Sequence, residues 1–304
     1  MISLEGRVAI VTGAGAGLGR SYAHALAACG ANVVVNDLGA QVEGDGVDTG
    51  PADRVAAEIL SKGGRAVADH NSVATPEGGE AIVQHAVDAF GSVDIVVNNA
   101  GNLRLSSFAK LDVRTIRDTL DVHLGGAFYV TQPAYKHMME QGRGRIVFTT
   151  SGLGIFGIYG AATYAAAKGG VSGLVSVLRL ECGKYGIRVN AVAPMARTRM
   201  TGDDLYAALP DECVGPEHVA PVVTYLASDE CAVNGETWSV GAGSVARLFS
   251  GRTVGYFKHP QREGALTAED VAANTDEIHD ARIFTEPSNW PAEWDQVVQM
   301  FAGT

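Results

Sequence analysis

Tyr164 and Lys168 stand four residues apart in the run Tyr164-Ala-Ala-Ala-Lys168, and Ser151 lies thirteen residues before the tyrosine. Four-residue spacing on a helix places both side chains on one face. A phenol with a pKa near 10 is a poor base at neutral pH, and a neighbouring ammonium favours its phenolate. The pair is therefore suited to taking up and returning one proton. Such pairs are common on protein surfaces, so the weight rests on what accompanies them.

The stretch Thr12-Gly13-Ala14-Gly15-Ala16-Gly17-Leu18-Gly19 fits T-G-x-x-x-G-x-G. It does not fit G-x-G-x-x-G in either register, and it lacks the Gly-Lys of a P-loop. Glycines between a strand and a helix let the backbone approach a pyrophosphate, which rests on the helix N-terminus. A plain glycine-rich turn is the blander alternative. Asp37 follows eighteen residues after Gly19, at the end of the next apolar run. A carboxylate there accepts hydrogen bonds from adenosine ribose hydroxyls and repels a 2′-phosphate. No Lys or Arg lies between Thr12 and Leu18, or from Leu38 to Asp53. The context favours NAD over NADP; otherwise Asp37 is a solvated loop residue.

Short β-branched runs alternate with longer helical stretches along the chain. Strands are expected at Arg7–Val11, Asn32–Asn36, Arg65–Asp69, within Ser92–Asn98, at Arg145–Thr150 and Arg188–Ala193, with Thr237–Val240 closing the series. Continuous apolar strands separated by helices indicate a parallel sheet covered on both faces. The expected fold is a doubly wound, Rossmann-type α/β domain, with its ligand at the carboxyl ends of the strands. Ser151 directly follows the fifth of these runs, on that edge.

The bulk properties narrow the field. Nearly half of the 304 residues are apolar, enough for a substantial core, and the 38 glycines are spread through the chain, as tight turns require. The net charge of −11 makes nucleic acid a poor partner. Cys29, Cys182, Cys213 and Cys231 are far apart, and the eight histidines form no H-E-x-x-H, so neither a metal site nor a disulfide framework is expected. No apolar run reaches membrane-span length and no secretion signal is evident, so the expectation is a soluble, cytoplasmic protein. The last 42 residues carry nine acids and one base, Arg282. Residues 1–250 are expected to form the catalytic domain. Residues 251–304 read as an extension packed on it or on a neighbouring subunit, with one amphipathic helix over Ala268–Asp280 starting at Thr267.

The motifs, in order, resemble those of the short-chain dehydrogenase/reductase family: TGAGAGLG, Asp37, Asn98-Asn99-Ala100-Gly101, Ser151 and Tyr164-x-x-x-Lys168. The resemblance runs from about Leu4 to Gly243. It implies a nicotinamide-dependent interconversion of a secondary alcohol and a ketone. Tyr164 would exchange the substrate proton, Ser151 hold the substrate oxygen, and Lys168 bind the nicotinamide ribose while depressing the tyrosine pKa. Cofactor contacts would come from Gly13, Gly17, Leu18, Gly19, Asp37, Leu38, Asn71, Ser72, Val73, Asn98, Ala100 and Gly101. On the nicotinamide side they would be Pro194, Ala196 and Thr198, with Tyr164 and Lys168. Hydride passes directly between carbon atoms, so no metal is needed. Two positions depart from the family pattern. His123 replaces a catalytic asparagine, either orienting a relay water or merely packing in a helix. Asn71 replaces an aspartate, with an amide oxygen still able to accept from the adenine amino group.

A nearer similarity is to the (3R)-hydroxyacyl-CoA dehydrogenase domain of peroxisomal multifunctional enzymes, carried by VVVNDLG (33–39), VHLGGAF (122–128), the Arg-Met of Thr198–Met200, and VGAG (240–243). That subfamily also has histidine at the position of His123. The implied substrate is an acyl-CoA thioester of a fatty or steroid side chain. Free steroid or terpenoid alcohols are the second reading, and a catalytically inactive NAD-binding regulatory protein the third. Only fifteen residues separate Met200 from Pro216, which suggests a short lid and an open cleft, unless the lid was trimmed without consequence for the substrate. Arg247, Arg252, Lys258 and Arg262 form a local basic run that would face CoA phosphates, the acidic tail or a second subunit. The Ala/Gly-rich face of the helix carrying Tyr164 suggests a homodimer or homotetramer.

Overall fold

A computed structural model describes residues 2–201 and 206–303. Tertiary contacts divide the chain into two compact units, Met1–Arg247 and Leu248–Thr304.

The first unit is built on an eight-stranded sheet in the order β3-β2-β1-β4-β5-β6-β7-β8. The strands are β1 Val8–Thr12, β2 Asn32–Asn36, β3 Arg65–Asp69, β4 Ile95–Asn98, β5 Gly144–Thr149, β6 Ile187–Pro194, β7 Thr237–Gly241 and β8 Ser244–Leu248. β1 to β7 pair in parallel, with Val8 opposite Asn32 and Ala9 opposite Ile95 on the two sides of β1. The strand order reverses between β1 and β4, and that switch point is where such sheets leave a crevice.

Side-chain alternation explains why the strands read as unbroken apolar runs. Val33 and Val35 of β2 enter the core under helices α1 (Gly17–Ala28), α2 (Gly50–Ser61) and α8 (Ala220–Ala227), together with Leu26, Ile59 and Val223. Val34 points the other way, into the core under α3 (Pro76–Phe90), α5 (Gly126–Gln141) and α7 (Ala162–Cys182), beside Ile82, Val130 and Val171. Period-two alternation between two covered faces keeps the middle of the strand apolar, with Asn32 and Asn36 at its two ends.

Three expectations change. The series does not end at β7: an eighth strand follows, across a two-residue turn in which Ala242 and Gly243 have φ 49° and 79°. Two left-handed residues make the tight turn that reverses a strand onto its neighbour, so β8 runs antiparallel. Several strand ends move by a residue, because β1 extends to Thr12 and β5 starts at Gly144. The single helix expected over Ala268–Asp280 is two helices, α10 (Ala268–Ala273) and α11 (Thr275–His279), with Asn274 between them. The Asn274 amide donates to the Asp270 carbonyl at 2.8 Å, a side-chain bond that competes with continued helix. The start at Thr267 is a full capping box with Asp270.

The remaining helices are α4 (Val113–Leu120) and the short α6 (Leu153–Phe156) in the first unit, with α9 (Pro260–Glu263) and α12 (Trp290–Gly303) in the second. The second unit also holds a two-stranded pair, β9 (Arg252–Thr253) with β10 (Phe284–Thr285). His259 is buried there, stacked on Phe301 at 4.4 Å between ring centres. Among the described residues, no helix is long and apolar enough to cross a membrane.

Candidate active site

The residues singled out for cofactor and substrate converge on the carboxyl edge of the sheet. Gly13 and Gly17 leave β1 in left-handed conformation, with φ of 63° and 52°. A Cβ on Gly13 would come within 2.8 Å of Ala100 Cα, and one on Gly19 would collide with the Gly13 carbonyl. Both glycines are thus required for the turn to sit under α1. The loop after β4 is clasped to it. Thr12 Oγ1 accepts from the amides of Asn99 and Ala100, both at 3.0 Å, and Asn99 Nδ2 donates to the carbonyls of Thr12 at 3.0 Å and Gly13 at 3.1 Å. Thr12 and Asn99 lie inside motifs recognised from sequence, but this bracing role has no local signature.

Asp37 is buried and its carboxylate receives two amides, Gly15 at 2.7 Å and Gly39 at 2.7 Å. It therefore orders the glycine loop as well as facing the crevice. An open cavity of roughly 400 Å³ is lined there by Gly15, Gly17, Asp37, Gly39, Arg54 and Arg199. Arg54 comes directly after the base-free stretch from Leu38 to Asp53, whereas Arg199 lies far along the chain beyond β6, and folding brings both beside Asp37. After β3, Asn71 donates its amide to Asp69 at 2.8 Å, which leaves the amide oxygen clear of that bond. Asp69 was not singled out from sequence. It is buried and also takes Asn36 Nδ2 at 2.7 Å and His85 Nδ1 at 2.9 Å, so it is the hub that holds this loop. Asn98 uses its amide on Thr131 of α5, at 2.9 Å, rather than toward the crevice. Thr198, beyond the end of β6, sits within van der Waals reach of a Cβ on Gly17, closing the opposite wall.

Ser151, Tyr164 and Lys168 come together between β5 and α7. Ser151 Oγ accepts from the Leu153 amide at 3.2 Å and stands beside the Tyr164 phenol. Lys168 Nζ lies 5.6 Å from the Tyr164 ring centre and donates to the Thr149 carbonyl at 2.6 Å. Lys168 is only 4% exposed, and burial brings its ammonium from 10.5 down to about 7. The expectation that the ammonium would depress the tyrosine is not met in this geometry. Burial raises the Tyr164 phenol above 10, more than the neighbouring Ser151 hydroxyl lowers it, and nearby Tyr206 adds to the rise. Desolvation acts on both partners and disfavours whichever form is charged.

His123 occupies a π-helical turn, Asp121–Gly125, between α4 and α5. It is 4% exposed, and its ring meets that of Tyr164 edge-on at 5.1 Å. Nε2 is engaged by the backbone of Asn102, 3.1 Å from its nitrogen and 2.7 Å from its oxygen. Nδ1 is buried without a hydrogen-bond partner among the described residues. Burial, with Lys168 adding to it, lowers the imidazole to about 3, so it is neutral at working pH. A Cβ on Gly101 would collide with the ring, which explains the glycine after Ala100.

Of the basic run, Lys258 pairs with Asp270 at 2.6 Å and Arg252 approaches Glu293 at 3.7 Å, both inside the C-terminal unit. The acidic tail is thus the partner of these two bases. The expected short lid, Met200 to Pro216, includes residues 202–205, which lie outside the described residues. Among the described residues, no group of three or more His, Cys, Asp or Glu is placed to hold a metal ion.

Residues 7–205 match the family model described as short chain dehydrogenase. The chain belongs to the short-chain dehydrogenase family. It is an oxidoreductase, and its relatives bear this out. It is 44% identical to peroxisomal multifunctional enzyme type 2 of Mus musculus over 94% of this chain and 38% of that one. It is 36% identical to hydroxyacyl-CoA dehydrogenase ChsB1 of Mycobacterium tuberculosis over 78% of each. The solved full-length peroxisomal multifunctional enzyme type 2 of Drosophila melanogaster superposes with a TM-score of 0.83 at 33% identity, covering 99% of this chain and 50% of that one. The chain therefore spans half or less of these multifunctional relatives.

Proposed function

We propose that this dehydrogenase uses NAD to interconvert a secondary alcohol and a ketone, with 3-hydroxyacyl-CoA thioesters as its substrate class. The observation that carries the chemistry is the convergence of Ser151, Tyr164 and Lys168 on one edge of the sheet, beside a glycine turn that has no room for side chains. The fit to a dinucleotide rests on that cradle and on the cavity beside Asp37. A bound nicotinamide would supply the hydride acceptor or donor.

The chain's own groups do the rest. The Ser151 and Tyr164 hydroxyls grip the substrate oxygen from two sides, which orients its carbon. In alcohol oxidation the Tyr164 oxygen receives the hydroxyl proton; in ketone reduction it returns one. A phenol held above 10 is protonated at neutral pH, so it stands ready as an acid, and alcohol oxidation gains as pH rises. Lys168, anchored on Thr149, offers its remaining N–H groups to a ribose hydroxyl. Asp37 would accept from the adenosine ribose, and Gly13, Gly17 and Gly19 would admit the pyrophosphate. His123 positions Tyr164 through ring contact.

The substrate class is supported by the names of the relatives and by large apolar side chains left exposed between Ser151 and Tyr164, with Phe156 at 76% and Tyr159 at 87%. Such side chains suit a ligand with a bulky apolar part. Initial rates of NAD reduction with a 3-hydroxyacyl-CoA, compared with its CoA-free alcohol and with a free hydroxysteroid, test the reading. A clear preference in kcat/KM for the thioester is expected. Equal or better turnover of the free alcohols would overturn the CoA assignment, and no turnover of any would favour a regulatory binder.

A further inference from the structure

The segment joining β2 to α2 is long for a connection inside an α/β unit, where about 2–6 residues are usual. Its neck is closed by Asp48 N–H donating to the Leu38 carbonyl at 3.0 Å, so residues 39–47 form an excursion that leaves β2 and returns to it. The tip does not stay over β2. Leu103 N–H donates to the Val42 carbonyl at 2.9 Å, and Asp45 pairs with Arg104 at 3.0 Å and Arg114 at 2.7 Å. At the root, Arg199 donates to the Ala40 carbonyl at 3.1 Å. Leu103 and Arg104 follow β4, Arg114 belongs to α4, and Arg199 follows β6.

Because β1 lies between β2 and β4, the excursion crosses the carboxyl end of β1, over the glycine turn. That is the span a dinucleotide would occupy, and Gly39 and Arg199 already line the cavity there. We infer that residues 39–47 form a strap over the bound dinucleotide and that Asp45 is its latch, a role resting on the cofactor reading above. Both arginines that Asp45 holds also pair with Asp118, so their side chains stay in place when the strap lifts. The strap must release the 102–104 segment for the cofactor to enter or leave. Asn102 in that segment clasps His123, which touches Tyr164, so latching also stiffens the catalytic end.

The test measures NADH dissociation by stopped-flow fluorescence in wild type and Asp45→Asn, with hydrogen exchange over residues 39–48 in the presence and absence of NADH. The variant loses two exposed pairs, and dissociation is expected to quicken about three- to tenfold, with the difference shrinking at high salt. Arg114→Gln, which removes the outer pair on Asp45 together with the Arg114–Asp118 pair and leaves Arg104 on Asp45, should give a smaller effect. NADH should slow exchange in the strap of the wild type, and less in Asp45→Asn. Unchanged dissociation in both variants, or strap exchange indifferent to NADH, overturns the proposal. A protein that binds NADPH and not NADH overturns the NAD assignment instead, and the same measurements with NADPH then decide the strap.

Discussion

Lys168 offers the sharpest physical test of the site. Its ammonium titrates at about 10.5 in water and at about 7 in the folded protein, because burial removes its hydration and puts the Thr149 carbonyl in its place. Between those two values the unfolded chain binds more protons than the folded one, so this residue makes stability rise with pH across that window. At 1.36 kcal/mol per pH unit of displacement, burying Lys168 costs the fold about 5 kcal/mol at pH 6 and about 2 kcal/mol at pH 9. Lys168→Met removes the charge and keeps an unbranched chain of similar length to fill the space. Urea denaturation of the cofactor-free protein, followed at pH 6, 7.5 and 9, reads the difference. The variant should be more stable than wild type at pH 6, and that advantage should shrink by about 3 kcal/mol by pH 9. Parallel stability curves at all three values would mean that the ammonium keeps its ordinary pKa in the fold. Turnover by the variant should collapse at every pH, since the ribose contact is lost.

Tyr164→Phe should hold its affinity for NAD while turnover falls about 10²- to 10⁴-fold, the usual share of general acid–base catalysis; turnover within a few-fold of wild type removes Tyr164 from its role. In the wild type, alcohol oxidation should climb steadily above pH 7 while ketone reduction holds level until the pH passes 10, as a raised phenol requires, and a reduction rate that already falls from pH 7 would contradict its assignment. Asp37→Ala should weaken NAD binding about 10- to 100-fold, from losing a charged hydrogen bond and the brace on Gly15. The same change should relax discrimination against NADP, because Arg54 and Arg199 are already at hand; equal use of both cofactors by the wild type refutes the argument from Asp37. His123→Ala should lower the melting temperature and slow turnover, and a rate profile that titrates a histidine between pH 5 and 8 would contradict an imidazole held at about 3. If turnover per folded molecule is unchanged in His123→Ala, the ring serves packing alone.

Local pattern was enough for the scaffold and for the residues on which the proposed chemistry rests. The β-branched runs, buried on both faces, announced a parallel sheet because no other placement hides every residue of a strand. Gly13 and Gly19 were legible because a tight turn under a helix tolerates nothing larger, and Gly17 because its left-handed backbone favours glycine. Ser151, Tyr164 and Lys168 were legible as a set, since the four-residue step and the end of a strand define direction as well as spacing.

What folding alone decided are relations between distant segments. Thr12 with Asn99, and Asp69 with Asn36 and His85, join loops from different strands, and each partner is an ordinary polar residue in its own stretch. The same holds for Asp45 against Arg104 and Arg114, across 59 and 69 residues of chain. Arg54 and Arg199 were invisible to a search for bases near Asp37 because they arrive from α2 and from beyond β6. The balance of charge at the site was equally out of reach. Sequence spacing brings an ammonium near a phenol and suggests a lowered tyrosine. Burial, which depends on every neighbour at once, raises the tyrosine and lowers the lysine instead, because a low-dielectric site penalises both charges before either can help the other.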